Sequence, residues 1–233
     1  MTGPELYVQW INANLGFNPR GASNSNALSQ YVVQDLRSVS LKRLDALIDS
    51  GDLKVIQNAN VSVGASGRLV RNIDLVLAQN HKVYAPLIVP LAVEHKTIMT
   101  AHGKARKNRY GDIIAYNSHM HNHRPDCVVG ATVVINTSED YENPDSFAKG
   151  LARPRFKMDK VVRDTIGVFE CIPLRDGVTD PIELPEALAI IVLTYDGINN
   201  AKLVTDLPEE GSPCRYDNFI RRLARKFEDR FPQ

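Results

Sequence analysis

Cysteine is scarce in this chain: Cys127, Cys171 and Cys214 lie more than forty residues apart, and no C-x-x-C pair occurs. That spacing excludes a disulfide framework or a zinc knuckle and points to reduced thiols in a cytoplasmic protein. Long hydrophobic runs are missing too. The longest, Ala187 to Leu193, is far too short to span a bilayer. Met1 to Glu5 holds neither a basic nor an extended apolar stretch, so no signal peptide is expected. Charge of one sign is also lacking, with 28 basic against 27 acidic side chains. Bulk charge therefore draws in neither nucleic acid nor a membrane surface, and any nucleic-acid contact must come from a local cluster. There is no internal repeat, no glycine-rich phosphate loop, no G-x-S-x-G and no H-E-x-x-H.

What is present is an ordinary globular composition, 43% apolar and 24% charged over 233 residues, enough for one good core. Asn12 to Asn26 is rich in Asn, Gly and Ser and reads as a loop. Ala27 to Ile48 has helical spacing, through Leu28, Val32, Leu36, Leu44 and Ile48. Strand-like segments follow at Leu53 to Val63, Leu69 to Ala78 and Leu91 to Met99. Ala101 to His121 predicts a helix, and Cys127 to Ile135 a buried, β-branched strand. Residues 137–157 predict a long polar loop. Lys160 to Ile172 reads as a helix running into a strand, Ala187 to Tyr195 as a strand, and Arg215 to Phe231 as a closing helix whose basic face lies at the surface or a dimer contact. The order over residues 27–136 is α-β-β-β-α-β. The expectation is one α/β domain with a mixed sheet flanked by helices, carrying C-terminal α/β additions over residues 137–233.

Within this order one group of side chains carries chemistry. Residues i and i+2 of a strand project to the same face, so Glu94 and Lys96 point together and His95 points away. If the preceding strand is its antiparallel neighbour, Asp74 lies beside Glu94. Two carboxylates on a rigid sheet suit a hard divalent cation such as magnesium, and the ammonium can activate water and offset charge building on a phosphate. Glu-x-Lys alone arises about once by chance at average residue usage; its context distinguishes it here. Asp52-Leu53-Lys54 shares the spacing but follows a turn, with no acid on an upstream strand.

The run Asp74…Glu94-His95-Lys96 in this element order resembles the PD-(D/E)xK nuclease core. The stretch Lys104-Ala105-Arg106-Lys107-Asn108-Arg109 is similar to the basic, Asn-containing segment after that motif in many type II restriction endonucleases. The proline that often precedes the first acid is replaced by Asn72-Ile73. The resemblance implies magnesium-dependent hydrolysis of double-stranded DNA to 5′-phosphate and 3′-hydroxyl ends. It implies Asp74 and Glu94 as metal ligands with the His95 carbonyl as a third oxygen, Lys96 as the catalytic lysine, and a homodimer on a palindromic site. An acid from the first helix joins some such sites; Asp35, Asp45 and Asp49 are all candidates.

Lys104, Arg106, Lys107, Asn108 and Arg109 form the expected phosphate-contacting cluster, with Arg68 and Arg71 flanking the second strand as further DNA contacts. Lys149, Arg153, Arg155 and Lys157 of the polar loop could approach a groove. His119, His121 and His123 read as solvated or phosphate-contacting, because alternate helical positions do not share a metal. The leading expectation is a sequence-specific restriction endonuclease. The alternatives are a structure-selective nuclease (junction-resolving, phage or repair) or a non-catalytic DNA-binding protein on the same fold.

Overall fold

Every residue of Val128–Asn136 is buried, the mark of a central strand covered on both faces. A computed structural model of the chain describes residues 1–40, 43–63, 69–79, 88–141 and 158–231. Its elements are α1 (Gly3–Ala13), α2 (Ala22–Val39), α3 (Arg43–Asp49), β1 (Leu53–Val63), β2 (Leu69–Gln79), β3 (Leu91–Ile98), α4 (His102–His123), β4 (Val128–Asn136), α5 (Met158–Glu170), β5 (Ala187–Thr194), β6 (Lys202–Leu203) and α6 (Tyr216–Arg230). The strands form one open six-stranded sheet in the order β1-β2-β3-β4-β5-β6. β3, β4 and β5 run parallel, and the β1–β2, β2–β3 and β5–β6 pairs are antiparallel. The fold is therefore α/β, with a mixed sheet flanked by helices.

Side-chain alternation in β5 sorts the two layers. Ala187 and Ala189 face a cluster with Val32 and Leu36 of α2, Leu44 of α3, and Phe219, Leu223 and Phe227 of α6. Leu188, Ile190 and Val192 face the other way, onto Ile113 of α4 and Val162, Ile166 and Phe169 of α5. A glycine sets one close approach. A Cβ on Gly130 would sit 3.0 Å from both Phe219 and Leu223 of α6, so a larger residue at that position of β4 would push those side chains back.

Several expectations need correction. The helix from Ala27 to Ile48 begins at Ala22 and is interrupted at Ser40, which is extended (φ −65°, ψ 144°). Residues 22–26 of the expected loop are thus helical. Buried Asn24 accepts the Tyr7 hydroxyl at 2.5 Å, a tertiary contact that outweighs the low helix propensity of Asn and Ser. α1 was not expected. Its start is written in the sequence as Thr2-Gly3-Pro4-Glu5: the Glu5 carboxylate accepts the Thr2 N–H at 2.7 Å, and proline sits in the first turn. α5 ends without the expected strand. Of the polar loop, residues 142–157 lie outside the described residues, and with them Lys149, Arg153, Arg155 and Lys157.

The basic face of the last helix divides: Arg221 and Arg225 are exposed, as expected, but Arg222, Lys226 and Arg230 turn inward. Arg222 and Lys226 reach Asp176 at 2.7 and 3.0 Å. Arg230 donates to the Cys127 carbonyl and pairs with Glu186, which also takes Arg175 at 3.2 Å, His121 at 3.1 Å and the Val129 N–H at 2.7 Å. His121 is fully buried here, against its expected solvated position. Among the described residues no helix is long and apolar enough to cross a membrane.

Candidate active site

The β2–β3 ladder runs through Leu77↔Leu91, Val76↔Ala92 and Leu75↔Val93 and stops there. The next pair by count would be Asp74 opposite Glu94, but no ladder pair forms there. Instead of a further ladder bond, the Asp74 Oδ2 accepts the His95 N–H at 2.7 Å.

β1 breaks at the same level. Between Gln57↔Leu75 and Ala59↔Ile73 the Asn58–Asp74 pair is skipped, and Asn58 has a left-handed φ of 50°. Asparagine tolerates this region better than other side chains. Its amide donates to Asn26 Oδ1 of α2 at 2.5 Å, and its carbonyl accepts from Asn72 at 2.9 Å. The break shifts the alternation of both strands by one residue. Leu53, Leu75 and Leu77 pack towards α2 and α6, whereas Ala59, Val61, Val63 and Ile73 pack towards Tyr116 and Met120 of α4. Arg71 is thereby turned to the α4 side, where Glu94 lies.

Glu94 is 5% exposed. Its Oε1 takes the Lys96 ammonium, and Arg71 Nη2 stands 3.6 Å away. Its Oε2 is buried without a hydrogen-bond partner. A buried, unpaired carboxylate oxygen is costly and needs a positive group to offset it. This orphaned oxygen suits a hard cation that takes oxygen ligands. Among the described residues no group of three or more His, Cys, Asp or Glu side chains is arranged to hold a metal. A cation held there would need further oxygens from outside these side chains.

The His95 ring lies on the opposite face, as its spacing requires. Its Nδ1 is 2.8 Å from Thr132 Oγ1 and its Nε2 3.0 Å from Ser29 Oγ. Burial pushes its pKa down to about 3, so the imidazole is neutral and structural. Only its carbonyl remains a candidate ligand.

The expected first-helix acids are engaged elsewhere. Asp35 accepts the Gly3 N–H at 2.7 Å, and Asp45 and Asp49 each pair with Arg37 at 2.6 Å. α2 contributes Ser29 and Asn26 to the surroundings of the site instead.

The basic cluster on α4 divides in two. Lys104, Lys107 and Asn108 lie on one exposed stripe. Arg106 pairs with Asp164 of α5 at 3.9 Å, and Arg109 donates to Asp112 at 2.7 Å. Arg109 also lines a small cleft with Arg20, Thr97 and Thr100, at the end of β3 just beyond Lys96. Arg68 lies outside the described residues. Arg71 is in the site itself: its guanidinium lies 5.4 Å from the Tyr116 ring centroid, and Nη1 is 3.2 Å from His119 Nδ1. Sequence reasoning missed this link, although the i, i+3 spacing of Tyr116 and His119 puts them on neighbouring turns of one helix face. No protein-family model matches the chain, and no curated protein does.

Proposed function

We propose that this chain is a magnesium-dependent endonuclease acting on double-stranded DNA, with a restriction-endonuclease-like core built from α2, β1–β3, α4 and β4. The observation that carries it is the buried, unpaired Oε2 of Glu94, with Lys96 on Glu94's own face and Asp74 bonded to the N–H of the next residue, His95. Asp74 and Glu94, with the His95 carbonyl, would hold Mg2+, which when bound supplies Lewis-acid stabilisation of charge on the phosphate oxygens. Lys96 then orients the attacking water and donates to the phosphate as charge builds during in-line displacement. The P–O3′ bond breaks, leaving a 5′-phosphate and a 3′-hydroxyl.

Lys104, Lys107 and Asn108 supply an exposed strip for phosphates flanking the cut, where affinity falls with salt. Cutting both strands at a palindrome requires two such sites, and we propose a homodimer on DNA. Incubation with phage genomic DNA, with magnesium and with EDTA, tests the reading. Discrete bands that need magnesium and vanish in Lys96→Ala support a sequence-specific enzyme. A magnesium-dependent smear points to a nonspecific nuclease, and cutting of branched substrates alone to a structure-selective one. Failure to cut linear and branched DNA overturns the nuclease reading.

A further inference from the structure

We propose that Arg71 is a second substrate-gripping cation of this site and that His119 is the residue positioning it. The inference rests on the nuclease reading and adds to Lys96 a partner on the neighbouring strand.

Arg71 reaches the site only because the strand pair changes faces at Asn58 and Asp74. In an unbroken β2, Arg71 would share a face with Leu75 and Leu77, on the α2 side. The break at Asn58 therefore delivers a guanidinium to the carboxylates.

The ion pair with Glu94 supplies charge balance but does not fix the orientation of the guanidinium. Lys96 already contacts Oε1, whereas Arg71 Nη2, at 3.6 Å, is beyond hydrogen-bond length. The guanidinium is held by other groups: it lies over the ring of fully buried Tyr116 and shares a hydrogen bond with His119. Nδ1 of His119 accepts this bond only when unprotonated, and burial, then the charge of Arg71, lowers the histidine's pKa and keeps it so. The fork is thus oriented before any substrate arrives, with 21% of the side chain still exposed.

Charge supports the same role. Asp74 and Glu94 are balanced by Lys96 and Arg71, so a bound divalent cation leaves the site with an excess of two positive charges. A phosphodiester supplies one negative charge in the ground state and concentrates more on its oxygens during displacement. A planar fork beside those oxygens can donate two parallel N–H bonds, which an ammonium cannot.

The test uses the full chain and a defined DNA duplex that the wild type cuts. Single-turnover cleavage is measured in magnesium and equilibrium binding in calcium, over a salt series. Arg71→Ala should slow cleavage about 100-fold and lower the slope of log affinity against log salt by about one. Added guanidinium should restore part of the rate. Arg71→Lys, which keeps the charge and serves if the alanine variant misfolds, should keep the salt slope yet cleave about tenfold more slowly. His119→Leu should slow cleavage by a similar factor, and His119→Gln, whose amide oxygen can still accept, should recover it. Folded Arg71→Ala or Arg71→Lys cutting at the wild-type rate overturns the role of Arg71 while the nuclease reading stands. Equal rates for His119→Leu and His119→Gln remove His119. A wild type that cuts no DNA overturns both readings together.

Discussion

The carboxylate of Asp74 takes the His95 N–H at 2.7 Å, just where a backbone carbonyl would continue the β2–β3 ladder. One side chain therefore ties the two strands together at the residue next to Glu94. Its structural and chemical roles can be separated. Asp74→Ala should cost about 1.5–3 kcal/mol, the range for a hydrogen bond to a charged group. Asp74→Asn keeps an acceptor and should recover most of that stability without recovering cleavage. Urea denaturation beside a cleavage assay checks this; equal destabilisation in both variants would remove the hydrogen bond as the cause.

Glu94 Oε2 should respond to magnesium directly. At about ten times its dissociation constant, magnesium should raise the melting temperature of the wild type by about 3–6 °C, from mass action and the usual entropy of a domain this size. Glu94→Gln should abolish the shift. An undiminished shift in that variant would show that the cation binds elsewhere.

The neutral, buried His95 sets an acid limit on stability. Its pKa is depressed in the fold to about 3, so from pH 6.5 downward the unfolded chain takes up a proton that the folded chain refuses. This contribution is complete above pH 6.5 and is lost as pH falls towards 3, with a slope approaching about 1.4 kcal/mol per pH unit. Urea midpoints between pH 7 and 4 measure it, and His95→Gln should flatten the profile by one proton.

Glu186 gathers Arg175, Arg230, His121 and the Val129 N–H in a place without solvent. Its replacement by alanine strands buried cations and should destabilise the fold by about 3–5 kcal/mol. Guanidinium chloride denaturation of Glu186→Ala checks this; a loss below about 1 kcal/mol would mean the cations find water.

Where local periodicity carried the information, the sequence was legible. Glu94 and Lys96 could be placed on one face because side chains alternate along β3, and β2 could be placed next to β3 because the two strands are neighbours in the chain. The all-buried β4 announced itself through Val128 to Ile135 for the same reason. Irregular or distant features stayed hidden. The left-handed Asn58 has no sequence signal strong enough to forecast a change of faces, so Arg71 was expected at the flank of its strand. The inward turn of Arg222, Lys226 and Arg230 depends on Asp176 and Glu186, which no helical pattern reveals. α1 was legible in principle, from Thr2, Pro4 and Glu5.

The packing of α6 has a consequence for synthesis. Phe219, Leu223 and Phe227 close the cluster that also holds Leu75 and Val93, the neighbours in sequence of Asp74 and Glu94. On the ribosome those α6 residues emerge more than a hundred residues after the two acids. A growing chain thus carries Asp74 and Glu94 through the synthesis of those residues on strands that lack this backing, and the cluster closes only once α6 has docked.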